Sequence, residues 1–258
     1  MTTLASFSTK ASIGLTKRVP GGYPRLGSRF HPREVPPRVL RIDEFEIAHT
    51  PVTVAQYAAF INREAVHDPR WWSKEGWSWR NGELDGWGRE NRRQPDAWET
   101  QVQRPYHPVV GVTLHEAIAY CHWVSFEKKR KVRLPSEEEW EYAARGEDGR
   151  PFPWGEEFDP TFANLFESEL HHTSEVASIP GDISPFEVMD MCGNAQEWTS
   201  SAYTPLAGEV YPPGMLFVAR GGSFNDTAFG GRASYRRAYP PGYFFPFLGF
   251  RVVVEAIT

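Results

Sequence analysis

After Thr113 the apolar side chains fall at Leu114, Ala117, Ile118, Cys121 and Val124, the spacing of one buried stripe on a helix. In Thr53 with Gln56, Thr113 with Glu116, and Ser136 with Glu139, a hydroxyl residue has a Gln or Glu three positions on. At that spacing the hydroxyl and the third helical side chain satisfy each other's orphan amides, so each pair predicts a helix start. The stripe puts Cys121 in the core. Residues 71–87, WWSKEGWSWRNGELDGW, alternate Trp with Gly and charge, which predicts an irregular insertion packed by its own indoles. From Pro151 onward Pro, Gly, Asn and Ser recur every few residues and leave room only for short strands such as RVVVEA. No repeat of fixed period is present. The pattern predicts an α+β fold with low regular secondary structure: short strands, a few helices and much loop.

With 258 residues and 40% apolar content, the chain is long enough to bury one large core or two small ones. A net charge of −5 provides no general basic field, and the run Lys128–Lys131 reads as a solvated helix end, so nucleic acid is not an expected partner. Cys121 and Cys192 form neither a disulfide framework nor a zinc spacing, which fits a reducing compartment. The N-terminus lacks an unbroken apolar core, and nowhere do about 18 apolar residues run together. A cytoplasmic protein with no membrane span is the expectation. His115 with His122 and His171 with His172 lack the HExxH spacing that sets two ligands beside each other on one helix face. Glu137, Glu138, Glu139 and Glu141 lie in the first turns of a predicted helix, where carboxylates favour the positive dipole end, and this reading is preferred to general acid/base catalysis.

Six segments then occur in one order: FEIAHTPVTVAQYAAFI, HPVVGVTLHEAIAYCHWV, RLPSEEEWEYAARG, FPWGEE, GNAQEWTSS and ARGGSF followed by GFRVV. In them the chain resembles the formylglycine-generating enzyme family, also called sulfatase-modifying factors, from about Arg41 to Val254. The resemblance implies a variant of the C-type-lectin fold, with residues 1–40 as an N-terminal extension and 41–258 as the domain. The family's enzymes oxidise a substrate cysteine with two thiols that hold Cu(I). Counted from Ser223, those places fall on Asp226 and Gly231. Cu(I) selects soft thiolates, so neither residue substitutes, no copper is expected and no catalytic residue is assigned. Cys121 and Cys192 both precede the motif. Relatives in the ergothioneine pathway carry a separate iron-binding helical bundle, for which this chain has no room. For DMCGNAQEW the resemblance implies a structural Ca²⁺ held by side-chain oxygens of Asp190 and Glu197 and backbone oxygens of Gly193 and Ala195. The alternative is that the acidic pair caps the turn and pairs with a nearby Arg. A second calcium loop would begin at Asn164 and Leu165, but FESELHHTSE lacks the acidic partners.

Between RGGS and GFR the chain reads FNDTAFGGRASYRRAYPPGYFFPFL. This segment resembles those of variable proteins of diversity-generating retroelements, which use the same fold and are rewritten at template adenines, so that Asn codons become NNC. Such codons cannot encode Lys, Glu, Gln, Met or Trp, and none of these occurs from Asn225 to Phe247. The resemblance implies a variable binding segment, 224–248. Its candidate ligand-binding residues are Asn225, Asp226, Thr227, Phe229, Tyr235, Arg237, Tyr239, Tyr243, Phe245 and Phe247. Tyr239, Tyr243, Phe245 and Phe247 are separated by Pro and Gly, which predicts an exposed loop of rigid aromatic anchors. Phe224, Phe250 and Val252 are predicted to be core. The reading is a non-enzymatic ligand-binding protein whose partner is another protein. Two alternatives remain open: an oxidoreductase with an altered site, and a catalytically silent relative that docks on an active partner.

Overall fold

Each of the three hydroxyl-led starts opens a helix in the computed structural model, which describes residues 10–34, 36–83, 92, 94–205, 208–212 and 214–255. In chain order the helices are α1 (Val54–Asn62), α2 (Lys74–Arg80), α3 (Trp98–Gln101), α4 (Leu114–Lys128), α5 (Glu137–Arg145) and α6 (Ala228–Gly231). Thr53, Thr113 and Ser136 all close reciprocal capping boxes with Gln56, Glu116 and Glu139. The strands are β1 (Thr16–Val19), β2 (Arg25–Leu26), β3 (Arg38–Val39), β4 (Phe45–Ala48), β5 (Val132–Arg133), β6 (Gln196–Ala202), β7 (Phe217–Arg220), β8 (Arg237–Tyr239), β9 (Leu248–Phe250) and β10 (Val253–Val254). This is the α+β architecture of short strands and few helices that the sequence predicts. No helix among the described residues is long and apolar enough to cross a membrane.

Two four-stranded sheets organise the chain, one in the order β1-β4-β10-β5 and the other β8-β7-β6-β9. In the second sheet β6 runs parallel to β9, setting Trp198 opposite Phe250, and β7 runs antiparallel to β8, setting Phe217 opposite Tyr239. The main core lies between this sheet and helices α1 and α4. Tyr57 stacks on Tyr120 at 5.5 Å, Phe250 meets Tyr120 edge-on at 5.4 Å, and Trp123 and Trp198 are buried beside them. Burial of each such ring contributes about 1.5–3 kcal/mol. Cys121, Phe224, Phe250 and Val252 are all buried, as expected. A second core joins Ile47 and Val253 of the first sheet to Trp140 and Tyr142 of α5.

Three expectations need correction. Residues 16–40 are not an appendage: β1 pairs with β4 through Thr16–Ala48 to Val19–Phe45, and Leu26 and Glu34 are fully buried. The Trp-rich stretch is partly regular, because Ser73 caps α2 by accepting the Gly76 amide at 3.0 Å; residues 84–87 of that stretch lie outside the described residues. The carboxylates of α5 do more than face a dipole. Glu137 and Glu141 are buried with Arg220, at 3.0 and 2.9 Å, and Arg236 adds Nε to Glu137 at 2.7 Å. That network ties α5 to β7 and to the residue before β8.

Candidate functional site

Strand β8 decides which side chains of the C-terminal segment reach the surface. Successive residues of a strand point to opposite faces. Arg236 points inward to Glu137, so Tyr235, Arg237 and Tyr239 lie together on the other face, all partly exposed. Tyr239 therefore belongs to a sheet edge, not to a loop as expected. From it the aromatic file continues: Tyr239 and Phe245 are 5.0 Å apart, Tyr243 and Phe245 meet edge-on at 6.2 Å, and Phe245 stacks on Phe247 at 5.3 Å. These four rings are half-buried, and Tyr239, Phe245 and Phe247 rest against the main core, so the freely exposed loop of the sequence reading is corrected to a supported aromatic ledge.

The support comes from α2 and the start of α4. The Leu114 amide donates to Pro241 O at 3.1 Å. Trp79 packs so closely on Gly242 that a Cβ there would lie 2.4 Å from the indole Nε1. Arg92, buried and paired with Glu116 at 2.8 Å, lays its guanidinium 4.0 Å from the Phe244 ring centre. Trp79 also meets His115 at 5.6 Å, and burial lowers the His115 pKa to about 4.

A closed polar network runs beneath the ledge. Asp226 is buried; its carboxylate accepts from Ser223 Oγ at 2.8 Å and from Gln196 Nε2 at 3.1 Å, and it pairs with Arg237. Gln196 Oε1 accepts the Tyr239 hydroxyl at 3.0 Å. All these partners belong to the chain itself, and Asp226 is a buried strut that holds the partly exposed Arg237 rather than an exposed contact residue. Asn225, Thr227 and Phe229 are exposed around it. Tyr235 lies beside Phe229, 5.1 Å between ring centres. Gln196 is a site residue that sequence reading missed, because no local spacing links it to Tyr239; the two meet through β7, which pairs with both β6 and β8.

Position 231 is equally committed. A Cβ on Gly231 would stand 2.7 Å from Leu165 Cδ1 and 3.0 Å from Cys192 Sγ. Burial raises the thiol pKa of Cys192, and of Cys121, which keeps both protonated and unreactive. Neither Asp226 nor Gly231 offers a soft ligand.

The expected calcium turn is drawn together but filled from within. Glu197 accepts Arg251 Nε at 2.6 Å on one oxygen and Nη2 at 2.7 Å on the other, and Trp140 Nε1 adds a bond of 2.7 Å. Arg251 Nη2 also donates to the backbone oxygens of Met189 and Asp190 at 3.0 and 2.9 Å. Asp190 accepts the Ala177 amide at 2.7 Å, and burial raises its pKa to about 6. A cation held by Asp190, Gly193, Ala195 and Glu197 would have to displace this guanidinium, so the donor set as arranged does not fit Ca²⁺. Among the described residues no group of three or more His, Cys, Asp or Glu side chains is placed to hold a metal ion.

With this geometry established, comparison with other proteins adds the following. Residues 3–256 match the FGE-sulfatase family, described as the sulfatase-modifying factor enzyme 1-like domain. The chain is 28% identical to the formylglycine-generating enzyme of Mycobacterium tuberculosis, over 93% of this chain and 97% of that one. It is 30% identical to inactive C-alpha-formylglycine-generating enzyme 2 of Bos taurus, over 91% of this chain and 86% of that one. Among solved structures, Treponema denticola variable protein 1 shares the fold with a TM-score of 0.71 at 20% identity, covering 95% of this chain and 98% of that chain.

Proposed function

The chain belongs to the sulfatase-modifying factor enzyme 1-like family, and from that premise we propose that it is a non-enzymatic ligand-binding protein whose segment 225–247 is the binding face. The observation that carries this reading is the outward file Tyr235, Arg237 and Tyr239, continued by Tyr243, Phe245 and Phe247 on a fixed support. Half-buried aromatics bring large contact area with few rotors to freeze, which is what a recognition surface needs. The positions at which the family resemblance puts copper-binding thiols carry a strut, Asp226, and a crowded glycine, Gly231. The absence of Lys, Glu, Gln, Met and Trp from 225–247, together with the fold shared with a variable protein, supports a diversified segment. The partner is a protein: the face is aromatic, and Arg232, Arg236 and Arg237 are each engaged by an internal carboxylate, leaving no arginine file for phosphates.

The test is a pair of chains identical except at residues 225–247, assayed against one protein captured by the first. The second chain is expected to lose that protein; equal affinity from both would place the binding site elsewhere. A second reading, a silent relative that docks on an active family member, is favoured by the likeness to an inactive enzyme. It predicts that the captured protein is itself a family enzyme and that exchange of the segment leaves capture unchanged.

A further inference from the structure

The turn around Phe30 extends the aromatic face beyond the C-terminal segment. Phe30 and Phe229 lie 5.9 Å apart, His31 stands edge-on to Phe229 at 5.1 Å, and His31 and Tyr235 are 5.5 Å apart. Glu34 holds the turn in place. Fully buried, it accepts Arg232 Nε at 2.9 Å and Ser234 Oγ at 3.0 Å, and it also bonds Ser28 Oγ. Arg232 in turn lays its guanidinium 4.1 Å from the Phe30 ring centre. Although both residues are anchored in this way, Phe30 remains 63% exposed and Phe229 40% exposed. Fixed aromatics left in water have the character of interface anchors.

Among the described residues the surplus of charge around these rings is positive, two arginines without an ion pair against one exposed carboxylate that touches the region. Glu34 and Asp226 are buried and already neutralised by Arg232 and Arg237. Arg29 is exposed and Arg33 half-exposed, and neither makes an ion pair among the described residues. The exposed carboxylate that touches this region, Glu167, accepts the Ala228 amide. On a chain of net charge −5, the turn is therefore a local cationic and aromatic patch.

We propose that Phe30, His31, Arg29 and Arg33 form a constant half of the binding face and receive an acidic, apolar-anchored segment of the partner protein. The proposal rests on the binding-face reading of 225–247. Because this half lies outside that segment, its own side chains stay the same when the segment changes, although Arg232 and Ser234 of the segment help to hold it. It offers an aromatic seat for one apolar side chain, and two unpaired guanidinium groups for the carboxylates beside it. Two arginines without a lysine stripe suit a short acidic peptide rather than a phosphate backbone, which needs a longer cationic track.

The experiment uses the full chain and three fluorescent probes: a dodecapeptide of alternating Glu and Leu with one central Phe, its Lys-for-Glu counterpart, and oligothymidylate. The acidic peptide should bind about tenfold or more tightly than the basic one, and less tightly as salt rises. Phe30→Ser and Arg29→Glu should each weaken it at least about fivefold with an unchanged melting temperature. No binding of the acidic peptide, equal binding of the basic one, or tighter binding of oligothymidylate overturns the proposal. Loss of affinity in Tyr243→Ser but not in Phe30→Ser also overturns it, while keeping the face at 225–247. If neither variant changes the affinity, both readings fall.

Discussion

Arg251 and Glu197 meet through two hydrogen bonds, at 2.6 and 2.7 Å, and neither side chain reaches solvent. The pair ties the residue after β9 to the start of β6, within the sheet that carries the aromatic ledge. Removal of one partner leaves a buried charge without compensation. Glu197→Gln should therefore destabilise the fold by roughly 3–5 kcal/mol, read as a lower denaturation midpoint in urea. A loss below about 1 kcal/mol would show that water enters the turn.

The same pair makes a prediction about calcium. Arg251 already occupies both oxygens of Glu197, so millimolar CaCl₂ should leave the melting temperature unchanged. A rise that disappears in Glu197→Gln would mean that the ion displaces the guanidinium.

Oxidase chemistry should be absent. Supplied with copper, oxygen and a cysteine peptide of the sulfatase type, the chain is expected to form no formylglycine, because Asp226 is bonded inward and Gly231 has no side chain. Product above a protein-free control, measured by peptide mass, would restore an enzymatic reading.

Glycine at 242 is a packing requirement. Gly242→Ala would push a methyl into the Trp79 indole and should destabilise by about 1–3 kcal/mol, with altered binding at the ledge. Trp79→Phe in the same chain should recover part of the loss. An additive double variant would show that the two residues do not meet.

Stability should fall on the acid side. His115 has its folded pKa lowered to about 4 by burial, against about 6.5 unfolded. The unfolded chain therefore binds the proton first. The contribution of His115 is intact above about pH 6.5 and is lost as pH falls toward 4, up to roughly 3 kcal/mol. His49 and His107, also lowered by burial, act in the same direction. Asp190 acts in the opposite one: raised to about 6, it stabilises fully below about pH 3.8 and loses that contribution as pH rises through 6. His115→Gln should flatten the acid limb of the urea midpoint against pH; an unchanged limb would assign it to other groups.

What the sequence revealed was what is local. The three capping boxes need only three residues of separation, and all were legible. The buried ion pairs were not: Arg236 meets Glu137 across 99 positions and Arg232 meets Glu34 across 198, distances at which no spacing rule operates. β1 escaped notice because its residues TKRV bury only Val19, so it has no hydrophobic alternation to read. Tyr239 read as loop because prolines follow it at once, whereas pairing with β7 makes it strand. In the site, the aromatic residues were legible by composition, but their support by Trp79, Arg92 and Gln196 depends on tertiary placement.

The crowding at Gly231 limits what that position accepts. A cysteine placed there would collide with Leu165 and Cys192, so Gly231→Cys alone would damage the fold unless one of those neighbours became smaller. Whatever changes on the surface around it, this one position stays tied to the packing behind it.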